Sequence, residues 1–297
     1  MTNLIPDNIE KIFYEHPNIG RDELARKADI SNQRARFYVT LYKEVHKKTT
    51  LVGTGIGAWD IHYPYHDKAS INVLIKAIEI IHPTHFVFGG DNMDFSCISH
   101  HNKGKYRLLE NTRLKKDYKG FQKNILDRVN NALSARCKRY FIMGNHEEWV
   151  NMLINDQPQL EGMVEIENNL DLKGYEIIPF NGALILGEMT FIHGLYTNKY
   201  TAEKHLRVYQ KMIFFGHTHT NQVYTSVTPL NTLPKQGVNV ACLANLNAGY
   251  LKGKPNKWIH QFLIWHMFSD GTFVYETPII LNGKTVINGK VVDGNDS

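Results

Sequence analysis

The 297-residue sequence predicts an α/β fold in which two β-sheets pack as a sandwich flanked by helices, together with a small all-α N-terminal domain. Three observations support this prediction. Only helical patterns occur in residues 6–48, apolar strands and amphipathic helices alternate from residue 49, and short strands dominate after residue 175. We therefore expect two domains, comprising residues 1–48 and 49–297.

The N-terminal domain is expected to contain three helices. The apolar spacing places them at 7–15, 22–28 and 32 to about 46, with Ser31 as the N-cap of the third. Two helices joined by a tight turn, the second of them basic, form the helix-turn-helix pattern, and residues 31–50 carry a net charge of +4. This charge favours contact with nucleic acid. A three-helix bundle that binds protein instead remains an alternative.

The remainder of the sequence is read as strands separated at first by helices. The early strands are predicted at 51–57, 86–89 and 139–143, and the helices between them at 69–82 and about 118–135. Later strands are predicted at 175–180, 183–192, 212–215, 222–227, 238–243, 259–268 and 272–280. The dipeptides Asn282-Gly283 and Asn288-Gly289 predict hairpin turns. Polar residues at the carboxyl ends of such strands are expected to form the functional site.

Composition and sequence patterns argue against a membrane-spanning, secreted or disulfide-stabilised protein. A hydrophobic content of 42% and a charged content of 21% are ordinary for a globular protein. No apolar run approaches the ~20 residues that span a bilayer, and residues 1–7 lack the features of a signal peptide. The three cysteines, Cys97, Cys137 and Cys242, are widely spaced and suggest no disulfide framework. We expect a cytoplasmic protein that does not bind membranes, with its oligomeric state left open.

Five polar blocks end or follow apolar runs. They are Asp60-Ile61-His62, Gly90-Asp91-Asn92-Met93-Asp94, Gly144-Asn145-His146-Glu147, His193-Gly194 and Gly216-His217-Thr218-His219. Mixed oxygen and imidazole ligands suit manganese, iron or zinc better than calcium. Glycines beside these residues permit tight turns aimed at a ligand. The ordered set predicts a paired-metal site that hydrolyses phosphoesters.

The five blocks resemble the signature of the calcineurin-like metallophosphoesterase superfamily, which runs D-x-H, G-D-x-x-D, G-N-H-E/D, H and G-H-x-H. The resemblance covers nearly all of residues 49–280 and implies a two-sheet metallophosphoesterase sandwich with two divalent metal ions. Manganese is expected, with Fe, Zn, Ni or Mg as alternatives. The run from Gly249-Tyr250-Leu251 to Trp258, followed by Gly271-Thr272-Phe273, resembles a bacteriophage-encoded branch, which would place the protein in the host cytoplasm.

The resemblance also implies a role for each site residue. One metal would be bound by Asp60, His62, Asp91 and His219, and the other by Asp91, Asn145, His193 and His217. Two ions about 3.5–4 Å apart would hold the hydroxide that attacks phosphorus. His146 is expected to protonate the leaving oxygen as general acid. Asp94 is expected to accept a hydrogen bond from His146 and so to orient it.

The surroundings of the second block favour a phosphodiester. Protein Ser/Thr phosphatases of the superfamily continue this block with an arginine that binds the phosphomonoester dianion, whereas this chain has Phe95 after Asp94. Residues 95–124 carry eight Lys or Arg against two acids, which indicates either a polyanion-binding rim or a solvated helix face. We expect a phosphodiesterase or nuclease acting on DNA. The alternatives are a protein or small-molecule phosphomonoesterase, and a DNA-binding regulator with a vestigial hydrolase fold.

Overall fold

A computed structural model of the protein describes residues 4–45, 49–227, 234–247, 253 and 255–296. It divides into two compact units, Met1–Thr50 and Leu51–Ser297. Several predicted features lie outside the described residues: the first three residues, the end of the third helix at His46, Lys47, Lys48 and Gly249-Tyr250-Leu251. Within the described part, no helix is both long and apolar enough to cross a membrane.

The first unit contains the three helices α1 (Asp7–Glu15), α2 (Arg21–Ala28) and α3 (Asn32–Val45). Their apolar faces bury a common core that includes Ile9, Phe13, Leu24 and Ala35. The hydroxyl of Ser31 accepts a hydrogen bond from the backbone N–H of Arg34 at 3.3 Å, as expected of an N-cap. The three predicted helices are therefore present, although the second begins one residue earlier.

The larger unit is built on a six-stranded sheet of order β12-β11-β1-β2-β3-β4. Its strands are β1 (Leu51–Ala58), β2 (His85–Phe88), β3 (Lys138–Ile142), β4 (Tyr175–Ile178), β11 (Leu263–Phe268) and β12 (Phe273–Glu276). The first four are parallel, and β11 pairs antiparallel with β1. The carboxyl ends of β1, β2 and β3 therefore lie at one edge of the sheet, where the first three polar blocks begin.

A second sheet has the order β5-β6-β7-β9-β8. Its strands are β5 (Leu184–Leu186), β6 (Met189–Phe191), β7 (Met212–Phe215), β8 (Asn221–Ser226) and β9 (Lys235–Val240). Strands β6 and β7 are parallel, and their carboxyl ends lead to the last two polar blocks. The prediction of one strand over 183–192 is wrong, because Gly187 adopts a left-handed conformation (φ 59°) and turns the chain into the β5–β6 hairpin.

The two sheets pack face to face, which confirms the predicted sandwich. Trp59 and Trp265 lie fully buried in a cluster with Val87 from the first sheet and with Phe191 and Phe214 from the second. The indole N–H of Trp59 donates a hydrogen bond of 2.9 Å to the backbone carbonyl of Ile192. This contact ties the end of β1 to the end of β6 directly beneath the site.

Helices cover the outer faces of both sheets. Those in the larger unit are α4 (Lys68–Ile81), α5 (Tyr106–Leu109), α6 (Leu114–Phe121), α7 (Asp127–Ala132), α8 (Asn145–Asp156), α9 (Ile166–Asn169) and α10 (Thr201–Tyr209), with short 3₁₀ turns at His100–Asn102 and Pro158–Leu160. The predicted helix over 118–135 is wrong at both ends. Its central segment, Gln122–Leu126, is a π-helical turn in which the N–H of Asp127 bonds to the carbonyl of Gln122.

Three later strand predictions are also too long. The strand expected at 238–243 ends at Val240, because Ala241 has a positive φ of 38°. The predictions 259–268 and 272–280 each divide, since β10 (His260–Gln261) and β13 (Ile279–Ile280) form a separate two-stranded sheet. The hairpin of β14 (Lys284–Ile287) and β15 (Lys290–Asp293) turns at Asn288-Gly289, both with positive φ, as predicted.

Candidate metal centre

The structure brings all seven predicted metal ligands together. Six of them, together with His146, form three overlapping groups in which the candidate ligand atoms lie within 4.8 Å of one another: Asp60, His62 and His219; His62, Asp91 and His146; and Asp91, His193 and His217. The amide oxygen of Asn145 completes the third group, at 3.1 Å from Nε2 of His193. Asp91 belongs to the second and third groups, and its Oδ2 lies 3.7 Å from Nε2 of His62, which belongs to the first, so it occupies the place expected of a bridging carboxylate.

The two central carboxylates are held in the same way. Oδ2 of Asp60 accepts a hydrogen bond of 2.7 Å from the backbone N–H of His217, and Oδ1 of Asp91 accepts one of 3.0 Å from that of His146. The second oxygen of each carboxylate faces the imidazoles. Oδ1 of Asp60 lies 3.3 Å from Nε2 of His219, and Oδ2 of Asp91 lies 3.3 Å from Nε2 of His193. Each carboxylate is thus fixed by one oxygen and presents the other to a potential cation.

The donor set fits divalent cations. Nε2 of His62 lies 3.0 Å from Nε2 of His219, and Nε2 of His193 lies 3.2 Å from Nδ1 of His217. Pairs of imidazole nitrogens turned toward each other beside a carboxylate are the arrangement that a shared cation stabilises. Oδ1 of Asp60 is buried and has no hydrogen-bond partner among the described residues. A cation at this position would satisfy it.

Burial and charge together shift the pKa values of these groups. Burial alone would raise the pKa of Asp60 and Asp91, but their neighbouring histidines lower the pKa of both well below the usual range. Burial would lower the pKa of His193, yet the Asp91 carboxylate raises it to about 9. The carboxylates therefore attract positive charge strongly. Metal binding would replace the imidazole protons, because only the neutral ring is a ligand.

Backbone strain is concentrated in this centre. Five of the seven candidate ligands have left-handed backbone conformations with φ between 50° and 71°: Asp60, His62, Asp91, His217 and His219. Such conformations cost about 1–2 kcal/mol for a residue with a Cβ. Strain of this kind persists where the surrounding structure enforces it, and it clusters at functional sites.

Two glycines allow the polar blocks to approach one another. A Cβ at Gly144 would lie 2.2 Å from Oδ1 of Asp91, and a Cβ at Gly216 would lie 2.2 Å from Oδ2 of Asp60. Both distances are far inside van der Waals contact. Glycine is therefore required at these two positions for the carboxylates to occupy their observed places.

Glu147 organises the centre without facing it, a role that the sequence reasoning missed. Its fully buried carboxylate accepts hydrogen bonds from the backbone N–H groups of Asp91, Asn92, Met93 and Gly144, at 2.8–3.2 Å. Burial and the nearby Asp91 raise its pKa to about 7. The sequence could have indicated this role, because Glu147 ends the third block and lies at the third position of α8, where a carboxylate can reach back to backbone N–H groups.

His146 lies at the edge of the metal groups, with its Nε2 3.7 Å from Oδ2 of Asp91. Its Nδ1 lies 2.7 Å from the backbone carbonyl oxygen of Asp94. The expected contact with the Asp94 carboxylate is therefore wrong. That carboxylate faces Nδ1 of His62 at 3.3 Å, because the hydroxyl of Ser96 donates to it and holds it on the His62 side.

A cavity of about 500 Å³ opens over the centre. Besides His62, His146 and His219, its walls include Trp149, Trp258 and Lys105. The ring of Trp149 lies 3.9 Å from that of His146, and the ring of Trp258 lies 4.2 Å from that of His219. No sequence motif marks Trp258 as a site residue. It reaches the cavity from the segment before β10, far along the chain from the polar blocks.

Comparisons with known proteins give similarity at the level of structure. No family model matches the chain, and no curated protein matches it. A crystal structure of wild-type Vps29 from Entamoeba histolytica complexed with Zn²⁺ has a TM-score of 0.44 and 12% identity, covering 82% of this chain and 99% of that one. A single mutant of the same protein has a TM-score of 0.41 and 11% identity, covering 81% of this chain and 98% of that one. Vacuolar Protein Sorting 29 from Cryptosporidium parvum has a TM-score of 0.33 and 15% identity, covering 81% of this chain and 96% of that one.

Proposed function

We propose that this chain is a calcineurin-like metallophosphoesterase that hydrolyses phosphodiesters, with nucleic acid as its substrate. The observation that carries the proposal is the pair of carboxylates, Asp60 and Asp91, each fixed by one oxygen and presenting the other to imidazoles. In the proposed arrangement, Asp60, His62, Asp91 and His219 would hold one cation, and Asp91, Asn145, His193 and His217 would hold a second. Manganese suits this mixture of oxygen and nitrogen ligands.

Each part of the centre has a task in this proposal. When bound, the two cations would supply Lewis acidity, lowering the pKa of water and neutralising charge on the phosphate. Asp60 and Asp91 offset the positive charge of the cations. In its imidazolium form, His146 donates the Nε2 proton to the leaving oxygen and becomes neutral, while the Asp94 carbonyl accepts from its Nδ1 and fixes the ring. Trp149, in contact with His146, limits the rotation of this imidazole.

A diester is preferred to a monoester because a monoester dianion needs more positive charge around it. The position that carries arginine in the protein phosphatases is occupied by Phe95, whose ring is fully buried 5.2 Å from that of Tyr118. No cation can act from that position. Among the described residues that line the cavity, Lys105 is the one Lys or Arg, and a single positive charge suits a singly charged phosphodiester better than a dianion.

Nucleic acid is preferred because of a basic surface on α6. Arg113, Lys115, Lys116 and Lys119 are exposed and line a second cavity of about 600 Å³, together with Tyr63. We call these four cations the α6 basic surface. Tyr63 directly follows the metal-site residue His62, so the surface begins close to the centre. Clustered cations of this kind bind successive backbone phosphates.

The N-terminal unit supplies an independent reason. Helix α3 exposes Arg34 and Arg36. Phe37 lies on the same surface of the helix, and its side chain is 60% exposed. We propose that this helix contacts nucleic acid. A protein partner is the alternative, and binding to DNA at low salt distinguishes the two.

The first experiment tests the reaction class. The full-length protein is assayed with Mn²⁺ on bis-p-nitrophenyl phosphate and p-nitrophenyl phosphate, with Asp91→Asn as the metal-site control. We expect hydrolysis of the diester in preference to the monoester, and its loss in Asp91→Asn. Preference for the monoester would identify a phosphatase. Hydrolysis of neither substrate, with DNA binding retained, would favour a regulator with a vestigial hydrolase fold.

The second experiment tests the substrate. Linear, circular and single-stranded DNA, RNA, cyclic nucleotides and a phosphopeptide are compared with Mn²⁺. Lys116→Glu with Lys119→Glu should lower cleavage of nucleic acid and leave the model diester unaffected. In this double variant, the slope of the logarithm of the binding constant against the logarithm of the salt concentration should fall in magnitude by about one unit per substituted lysine. The control is Lys138→Glu with Lys211→Glu, because these exposed lysines lie at the opposite, amino ends of β3 and β7. Equal losses in both variants would contradict a specific role for the α6 basic surface.

A further inference from the structure

The cavity over the metal centre is bounded by a continuous row of five rings. From one end to the other they belong to Trp149, His146, His62, His219 and Trp258. Successive ring centres are 3.9, 4.6, 4.8 and 4.2 Å apart. The three histidines of the row belong to the proposed catalytic centre, and a tryptophan stands at each end. Both tryptophans line the cavity in which a phosphate would lie, and the three histidines separate them along the row.

Both tryptophans are placed for contact with a ligand. Each is only partly buried and lines the cavity, unlike Trp59 and Trp265, which are fully buried between the sheets. Trp149 projects from α8 one turn after His146, and Trp258 precedes β10. An indole beside a phosphate-binding centre is an apolar surface for a flat aromatic group, and nucleobases stack on it without regard to their sequence.

We propose that Trp149 and Trp258 stack on the two nucleobases that flank the scissile phosphate. The inference rests on the proposed function and names its substrate more closely: a single-stranded nucleic acid, or a single-stranded end, whose bases are free of a pairing partner. Lys105, at the same cavity wall, is placed to contact the strand's phosphate backbone. A protein or small-molecule phosphate ester would leave both indoles without an aromatic partner.

The kinetic test compares two diesters with the same leaving group. Thymidine 5′-(4-nitrophenyl phosphate) carries a nucleoside, and methyl 4-nitrophenyl phosphate does not. In Trp149→Ala and Trp258→Ala, we expect the ratio of kcat/KM for the nucleoside ester to that for the methyl ester to fall, by about 10-fold for the tryptophan that contacts the nucleoside. Phe at the same position should restore most of the loss. Tyr200→Ala, an exposed aromatic residue outside the cavity, is the control and should leave the ratio unchanged.

The ratio protects the test against a poorly folded variant, because loss of folded protein lowers both constants equally. A single-stranded oligonucleotide should also be cleaved faster than the same strand in a duplex by the unmodified protein. If both alanine variants keep the ratio of the unmodified protein while the methyl ester is hydrolysed, the stacking inference is wrong and the proposed function stands.

A binding measurement decides the inference even if neither ester is hydrolysed, an outcome that would refute the proposed function. Thymidine 5′-monophosphate should quench the tryptophan fluorescence of the full-length protein, whereas deoxyribose 5-phosphate should not. Quenching should be lost in the variant that combines Trp149→Phe with Trp258→Phe, because the remaining indoles, Trp59 and Trp265, are inaccessible. Absence of quenching in the unmodified protein, or equal quenching by the base-free phosphate, would overturn the inference.

Discussion

Nδ1 of His146 lies 2.7 Å from the backbone carbonyl oxygen of Asp94, while the Asp94 carboxylate faces Nδ1 of His62 at 3.3 Å. The main chain and the side chain of one residue thus contact two different histidines. Since the contact to His146 does not involve the Asp94 side chain, a substitution at Asp94 removes the contact to His62 and leaves the contact to His146 in place.

Asp94→Ala should weaken metal binding rather than proton donation. Removing the carboxylate takes away the group that orients His62, and loss of such a partner typically lowers metal affinity about 10–100-fold. Titration of the metal-free protein with Mn²⁺ measures this change. At saturating Mn²⁺, kcat should fall far less than in His146→Ala, because the carbonyl that holds His146 remains. A loss of kcat at full metal occupancy as large as that of His146→Ala would show that the carboxylate is needed for proton donation.

His146→Ala should reduce turnover by about 10²–10⁴-fold while metal content stays nearly unchanged. Its Nε2 faces the centre, yet the other seven side chains supply the proposed ligand set without it. The loss should be much smaller for p-nitrophenyl esters than for dinucleotides, because a good leaving group needs little protonation. His16→Ala, an exposed histidine in the N-terminal unit, is the matched control. Loss of metal together with activity would make His146 a ligand.

Glu147→Ala should lower the free energy of unfolding by about 3 kcal/mol or more, because four backbone N–H groups lose their carboxyl acceptor in a buried site. Glu147→Gln should be intermediate, since one oxygen still accepts while the new amide group opposes N–H donors. Urea unfolding of the metal-free protein measures both. Glu148→Ala, at the partly exposed neighbouring position of α8, should change the value by less than about 0.5 kcal/mol. Equal effects at the two positions would refute the role assigned to Glu147.

The five polar blocks show how much of the candidate site could be predicted from the sequence. Asp60, Asp91 and Asn145 could be placed because each follows a strand of a parallel sheet, whose carboxyl ends share an edge. The orientation of Asp94 could not, since it depends on the turn in which Phe95 adopts a positive φ of 49°. Trp258 could not be placed either, because it meets His219 only through the packing of distant segments. Local patterns specify which side chains reach the centre, and the turns decide which atoms meet.

The last prediction concerns His205, a buried histidine of α10 outside the metal centre. Its Nε2 accepts a hydrogen bond of 3.0 Å from the backbone N–H of Leu195, and its Nδ1 lies 2.8 Å from the carbonyl oxygen of Thr201, so the ring is neutral with the proton on Nδ1. Burial lowers its pKa to about 4. In the unfolded chain the pKa is near 6.5. Between these values only the unfolded chain binds the proton, so this histidine's contribution to stability is complete above about pH 6.5 and is lost as the pH falls toward 4.

His205→Gln tests this contribution, because glutamine has no proton to bind in this range. The variant should be less stable than the unmodified protein at pH 7.5, by about 1–3 kcal/mol for the disturbed hydrogen bonds. The difference should shrink as the pH falls from 6.5 to 4.5, since only the unmodified protein loses stability through His205. Urea unfolding of the two metal-free proteins across this range measures it, and titration of the other histidines cancels in the difference. A gap that stayed constant with pH would mean that folded His205 titrates near its ordinary pKa, and that the hydrogen bond from Leu195 does not hold the ring neutral.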